Sequence, residues 1–439
     1  MLKTFKGGFH VKDYKALTNQ MSPREIEDCP QHIYPLQQHI GAVLTPLVKI
    51  GDTVKVGQKL ADSDAFMSVP VHSSVSGTVK GIKPWPHPSG AEIDAIIIEN
   101  DGQYTPDESM KPAENPEHMT KDELLAVIRE KGIVGMGGAG FPAHIKLSPK
   151  TPVDCLIING AECEPYITSD HRRMLENPDE IADGIRLCMK ILGVNRAYIG
   201  IEANKPDSAS SLGQYIDGET IQTVLLKTKY PQGAEKQLIY AITKRSVPSG
   251  KLPADVGVVV VNVDTAYRIS QAVRKGRPIM DRIITVAGDR VVAEPCNLLV
   301  RTGVPFSFVF EQAGGFNGEP KKVIMGGPMM GLAQFTLETP VVKTTSALLA
   351  FDAPEETFDE HLNCIRCGKC VDHCPMNLMP LNLNRYSRSR NWEQAEKFHI
   401  LDCIECGLCS YICPAEQNLL HHIRVGKQAV MQRRKKNKS

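Results

Sequence analysis

Apolar residues in this 439-residue chain change their spacing several times, and each change marks a different kind of element. From Tyr34 to Asn100, short apolar runs alternate with Gly- and Pro-marked turns, as short antiparallel strands do. Gly51-Asp52 and Gly57-Gln58 suit tight turns, where glycine accepts a positive φ. Tyr104 to Met119 is polar, carries Pro106, Pro112 and Pro116, and reads as a linker. Helix and strand signals then alternate. Lys121 to Glu130 has helical periodicity, with Thr120 placed to cap it and Gly132 to stop it. Strands are expected at Val153–Asn159, Ala197–Glu202, Ile221–Leu226 and Val256–Val263. The clearest helix starts with Asn177 as cap, Pro178 in the first position and Asp179 and Glu180 in the first turn, and ends at Gly193. Near-continuous valine from Val256 to Val261 marks a strand buried on both faces. This β-α alternation predicts a parallel sheet covered by helices.

From Ile283 to Gln334 the pattern returns to short strands, with turns at Gly288-Asp289, Gly314-Gly315 and Gly326-Gly327. The expected fold is therefore multidomain α/β plus α+β. Its parts are an N-terminal segment (1–33), a β-sandwich (34–103), a linker (104–119) and a Rossmann-like α/β domain (120–282). A small α+β module (283–343), a second linker (344–360), a cysteine-rich helical domain (361–425) and a basic tail (426–439) follow. The β-sandwich resembles lipoyl and biotinyl carrier domains, which modify a lysine at a hairpin tip. The matching stretch here, Asp62 to Ser68, has no lysine, so a rigid docking module is expected instead of a swinging arm.

Cysteine spacing adds the chemistry. Of 13 cysteines, eight lie in two runs of the form C-x2-C-x2-C-x3-C-P. They are Cys364, Cys367, Cys370 and Cys374 before Pro375, and Cys403, Cys406, Cys409 and Cys413 before Pro414. This is the bacterial-ferredoxin ligand run for 4Fe–4S clusters, in which the fourth Cys ligates the other cluster. One cluster is accordingly assigned to Cys364, Cys367, Cys370 and Cys413, and the other to Cys403, Cys406, Cys409 and Cys374. Zinc also binds C-x2-C pairs, but has no use for a third in-register Cys followed by C-P, twice over. Cysteines grouped as metal ligands point to a reducing compartment, and no secretory h-region or membrane-spanning apolar run is present. A net charge of +1 argues against a nucleic-acid partner.

The stretch Gly135-Met-Gly137-Gly138-Ala-Gly140-Phe141-Pro142 formally satisfies G-x-G-x-x-G, but a helix precedes it where a Rossmann fingerprint needs a strand. What remains is bare backbone able to approach an anion or a flat ring, with Lys146 nearby. Three further groups follow predicted strands, where open α/β sheets bind ligands. They are Asn159 with Glu162 and Glu164, Tyr230 with Gly233, Glu235 and Lys236, and Asn262 with Thr265. Together they predict a lined crevice able to hold a flavin and a nicotinamide dinucleotide.

The glycine run with its lysine, N-x-x-E-x-E-P, G-x-E and V-N-V-D-T resembles the FMN- and NADH-binding subunit of respiratory complex I. With a lipoyl-like domain in front and a β-grasp-like (SLBB-type) module and twin ferredoxin motif behind, the whole order resembles the RnfC family of the Rnf complexes. Those are ion-translocating ferredoxin:NAD+ oxidoreductases of bacteria. The resemblance implies non-covalent FMN contacted by Gly135, Gly137, Gly138, Lys146, Asn159, Glu162, Asn262 and Thr265. It places Phe141 against the nicotinamide of NAD+ or NADH, and Glu235 and Lys236 near the dinucleotide. Ala161 stands where the complex I pattern has an aspartate, so one polar contact is missing or supplied elsewhere.

The resemblance further implies a peripheral subunit on the cytoplasmic face of the inner membrane. Its partners would be membrane-embedded subunits and an iron–sulfur subunit that takes electrons from ferredoxin. Ferredoxin would thus be an indirect partner, and Na+ or H+ transport would belong to other subunits. No side-chain acid or base is required for hydride transfer, so none is nominated. Two other readings stand beside this one: a diaphorase subunit of a soluble hydrogenase or dehydrogenase, and an electron-relay scaffold with a vestigial flavin crevice.

Overall fold

The computed structural model describes residues 2–352 and 363–436. In the N-terminal β-sandwich, one sheet runs in the order Gln31–Pro35, Glu92–Asn100, Gly77–Pro86, Thr53–Val54. The other runs Thr45–Pro46, Lys59–Asp62, Val71–His72. Tyr34, Val54, Leu60, Val79, Ile96 and Ile98 fill the space between them. The carrier-like hairpin does not stand free. Asp62 at its base takes a hydrogen bond from Arg129 at 3.0 Å, which ties it to the next domain, and another from Lys59 of its own strand at 3.1 Å.

That domain opens with the helix Lys121–Glu130, closed by a reciprocal capping box between Thr120 and Glu123. Such a cap contributes about 1 kcal/mol. Its sheet runs Ile221–Leu226, Ala197–Glu202, Cys155–Gly160, Val258–Asn262, all parallel. Chain order reverses between the last two strands, so the crevice at their carboxyl ends is the topological switch point where such sheets bind ligands. The valines of Val258–Asn262 are buried, as a strand covered on both faces requires. The helix Pro178–Leu192 ends on left-handed Gly193. Asn177 holds the cap position, but its side chain caps nothing: its Oδ1 accepts from Arg173 instead.

Three boundaries differ from the sequence reading. Ala347–Phe351, placed in the 344–360 linker, is an interior strand of a six-stranded sheet. It pairs in parallel with Asp281–Gly288 and antiparallel with Lys322–Met325. Its short apolar run lacks alternation because both its faces are covered. The N-terminal segment is not separate either. Arg24–Glu25 forms an edge strand of that same sheet, and Phe9 pairs with Tyr230. Third, the basic tail is helix as far as Lys436, continuous with Leu419. A Cβ at Gly426 would collide with Ser387 Oγ, so the bare glycine lets this helix press onto Pro380–Arg388. The remainder of the 344–360 and 426–439 stretches, residues 353–360 and 437–439, lies outside the described residues.

Buried cations and imidazoles hold the seam around the β-sandwich. Lys343 donates to the carbonyls of Pro70 and Gly132, both at 2.7 Å, joining three domains. Burial pulls its ammonium down to about 7. Burial likewise pulls His32 and His144 down to about 4, and His72 well below its ordinary value, with Lys343 as a further cause at His72. These imidazoles are neutral in the fold but protonate near pH 6.5 when unfolded. The unfolded chain therefore binds more protons between about pH 4 and 6.5, and stability falls as pH drops through that window. Lys343 adds a gain as pH rises from about 7 to 10.5 by the same rule. Asp170 and Glu164, both raised to about 7, act in the opposite sense over much of the lower window, so the imidazole part is read as a difference. The urea midpoint of His32→Gln relative to wild type is expected to rise as pH falls from 6.5 to 4, and a difference flat across that window would contradict the neutral imidazole.

Candidate flavin crevice and cysteine cavities

The glycine loop is pinned at both ends and bare in the middle. The Gly135 N–H donates to the Phe141 carbonyl at 2.8 Å, and the Met136 N–H to Thr265 Oγ1 at 2.9 Å. Between these ties, Gly137, Gly138 and Ala139 are exposed. A Cβ at Gly137 would lie 2.8 Å from Asn262 Nδ2, so the loop rests directly on the end of the last parallel strand. A Cβ at Gly138 would meet nothing within 4 Å. Gly140 needs its glycine for another reason: its φ is +72°, and a Cβ would press on Thr344 and on the backbone at Gln38 and His39. Thus β-sandwich, flavin domain and the stretch before Ala347 all reach the loop.

The asparagines beneath the loop hold the crevice together. Asn262 Oδ1 accepts the N–H groups of Asp264 and Thr265, capping Val263–Lys275, while its Nδ2 donates to Asp170 at 2.6 Å. Burial, then the charges of Glu162 and Asp264, push the Asp170 carboxyl up to about 7. Asn159 donates to the Gly233 carbonyl at 2.8 Å, and its Oδ1 accepts the Ala161 N–H at 3.2 Å. Lys146 pairs with Glu235 at 2.8 Å, both half-exposed. Glu162 is turned inward: its carboxylate accepts the N–H groups of Asp170 and His171 at the start of Ser169–Glu176. Phe141 and Lys236 are part-exposed at the rim.

Glu164 and Tyr230 lie deeper. Tyr230 is 1% exposed. Its hydroxyl donates to the Cys406 carbonyl at 2.8 Å and lies 3.3 Å from Glu164 Oε1. Glu164 also accepts the Met329 N–H at 3.0 Å, and burial pushes its carboxyl up to about 7. On the next helix, Gln237 donates to the Pro375 carbonyl at 3.0 Å. The stretch 230–237 therefore touches the glycine-loop lysine and the strand-end asparagine on one side. On the other side it touches backbone of both cysteine runs.

The cysteines gather crosswise. Cys374 joins Cys403, Cys406 and Cys409 around an apolar cavity that Leu378, Leu383 and Ile423 also line. Cys370 has Cys413, Cys364 and Cys367 as its electrostatic neighbours. Among the described residues no three His, Cys, Asp or Glu side chains converge as on a single metal ion. In the first group the thiols ring a space instead, and burial pushes Cys406 up to about 12. Amide N–H groups of Leu378 and Glu405 point at Cys374 and Cys403 sulfurs, both at 3.4 Å. Apolar walls, amide donors and four thiols suit a multinuclear iron–sulfur cluster, whose own charge stabilises thiolates that bare burial disfavours. The crevice fits a flat cofactor for the corresponding reason: open space over Gly138, backbone N–H groups, and a rim locked from below.

Three residues of this region carry no signal in the sequence: Asp170, Cys163 and Gln237. Asp170 sits in an ordinary helix start and belongs to no motif. Cys163, whose sulfur accepts the Gly233 N–H at 3.3 Å, has the spacing of a plain buried residue.

Fold and site together define a flavin-domain, iron–sulfur electron-transfer protein. Family descriptions match along the chain: the RnfC barrel sandwich hybrid domain over residues 3–103 and the Nuo51 FMN-binding domain over 128–271. An SLBB domain matches over 283–333 and a 4Fe-4S dicluster domain over 363–417. The C component of the Na(+)-translocating ferredoxin:NAD(+) oxidoreductase complex of Acetobacterium woodii is 47% identical over 99% of this chain and 98% of its own length. The proton-translocating counterpart of Clostridium ljungdahlii is also 47% identical, over 97% of this chain and 93% of its own. This chain belongs to the RnfC family, the C components of the ion-translocating ferredoxin:NAD(+) oxidoreductase complexes. A solved NAD+-reducing [NiFe]-hydrogenase shares the fold, with TM-score 0.51 and 19% identity, over 73% of this chain and 65% of that one.

Proposed function

We propose that this chain carries electrons between a ferredoxin-fed iron–sulfur partner and NAD+, reversibly, through two 4Fe–4S clusters and a non-covalent FMN. The observation that carries the reading is the 230–237 stretch, which spans the flavin crevice and the cysteine cavity with direct hydrogen bonds at both ends. When bound, FMN supplies the exchange between one-electron transfer and two-electron hydride transfer. The chain's own task is to hold and orient. The amides of Gly137, Gly138 and Ala139 would cradle the flavin, with Gly135, Asn159, Asn262 and Thr265 bracing them. Phe141 would lie against the nicotinamide, with Glu235 and Lys236 toward the dinucleotide, keeping donor and acceptor aligned and water out. Cys364, Cys367, Cys370 and Cys413 would hold one cluster, and Cys403, Cys406, Cys409 and Cys374 the other.

No helix among the described residues is long and apolar enough to cross a membrane. A peripheral place on the cytoplasmic face, docked to membrane-embedded subunits that move the ion, fits this and the family. The transported ion is set by those subunits: relatives of equal identity are named for sodium in one case and protons in the other. The test is an anaerobic visible spectrum with iron, sulfide and flavin analysis, repeated after adding NADH. About eight irons and one FMN, bleached by NADH, are expected. Zinc in place of iron, or flavin absent, would end the proposal.

A further inference from the structure

The twin cysteine runs are one motif by spacing, yet they are buried differently. In the second run Cys406 is buried, Leu408 is 1% exposed, and a Cβ at Gly407 would lie 2.9 Å from the Met329 carbonyl oxygen. Glu405 there is stapled to the C-terminal helix by Arg424 at 3.1 Å and Lys427 at 2.8 Å. In the first run Cys364 and Cys367 are exposed, and Ile365 is 66% exposed. A Cβ at Gly368, the counterpart of Gly407, would meet only Asp372 Oδ2, at 3.9 Å. Where the second run has Glu405 and Leu408, the first has Arg366 and Lys369, both exposed and in no ion pair among the described residues. One copy of the motif is packed against the flavin side, and the other faces outward with an apolar centre flanked by two cations.

We infer that the face formed by Ile365, Arg366 and Lys369 is the electron-entry docking surface for an acidic iron–sulfur protein. This rests on the cluster assignment proposed above and adds an order to it. The Cys364–Cys370 run is the outer site, and the Cys403–Cys409 run with Cys374 is the site next to the flavin. Each docking event moves one electron: the partner's cluster is oxidised by one and this chain reduced by one, with no bond made and no proton moved. Two such events supply the two electrons of one hydride to NAD+, and its proton is taken up from solvent. A small apolar contact ringed by charge suits a transient redox encounter, since charges steer association and the modest area permits release. Among the described residues Asp372 is the carboxylate beside this face, so the two described cations exceed it.

The test measures binding of an acidic two-cluster ferredoxin, used as a probe with the charge and clusters of the proposed partner, to the anaerobically prepared holoprotein, by biolayer interferometry at low and high ionic strength. Wild-type affinity is expected to fall roughly tenfold or more between the two salts, because exposed charge pairs are screened beyond about 10 Å. Arg366→Glu/Lys369→Glu is expected to weaken low-salt binding about a hundredfold and to remove most of the salt dependence. Its iron content should match wild type, showing that the fold and clusters survive. Equal binding by variant and wild type, or wild-type affinity indifferent to salt, would overturn the docking face. Binding is read without turnover, so a chain that held no FMN would sink the reading of the previous section while leaving this result decisive.

Discussion

Replacing Gly138 with glutamate is expected to abolish flavin binding while both cysteine groups keep their iron. Gly138 is the suitable position because a side chain there is tolerated by the fold. Its Cβ would meet no atom within 4 Å, and its φ is not in the left-handed region. The carboxylate would project into the open space above the loop, where a bound flavin would lie. Burying an unpaired charge there costs on the order of 3 kcal/mol or more, a loss of about a hundredfold in affinity. Gly137→Ala makes the informative contrast. Its methyl group would meet the Asn262 carboxamide, which caps Val263–Lys275 and holds Asp170. That variant should lose stability along with flavin, whereas Gly138→Glu should lose flavin alone. Flavin and iron assays on the same purified samples, with urea midpoints, check both. Flavin retained at wild-type stoichiometry in Gly138→Glu would place the cofactor elsewhere.

Much of this arrangement is legible in local chemistry. The C-x2-C-x2-C-x3-C-P spacing carries its own ligand geometry, so the crosswise gathering of Cys374 with the second run and Cys413 with the first can be anticipated. The parallel sheet follows from β-α alternation, and Gly193 from its place after the last periodic residue. What escapes depends on contacts distant in sequence. Ala347–Phe351 looks like a linker until a strand is found on each side of it. The basic run after Gly426 looks like a solvated tail until Ser387 is found against the glycine. Glu162 and Tyr230 look like crevice residues from their position after strands. Glu162 instead caps a helix, and Tyr230 reaches the backbone of a cysteine run, because the loop turns inward there. Period and spacing reveal elements and which cysteines gather; they do not say which way a loop side chain turns.

Removing the carboxylate of Asp264 is expected to destabilise the protein more than any single change at the rim of the crevice. Asp264 is 3% exposed and faces three guanidinium groups: Arg173 at 3.0 Å, Arg282 at 3.5 Å and Arg268 at 3.7 Å. Arg268 has a second partner in Asp281 at 2.7 Å, so Asp264→Ala leaves chiefly Arg173 and Arg282 as uncompensated buried cations. Breaking a buried ion pair from one side costs about 3–5 kcal/mol. The charges hold Asp264 below the usual carboxylate range although burial alone would raise it. Its contribution is therefore present above the unfolded value near pH 4 and is lost as pH falls through the lower folded value. Urea unfolding of the holoprotein at pH 7 measures the loss. The double variant Asp264→Ala/Arg282→Met should recover part of it, because it removes the stranded charge along with its partner. If the double variant were no more stable than Asp264→Ala, the cost would lie in lost packing and not in charge. The network between Val263–Lys275 and Asp281–Gly288 would then be only incidental to the seam that aligns Asn262 beneath the glycine loop.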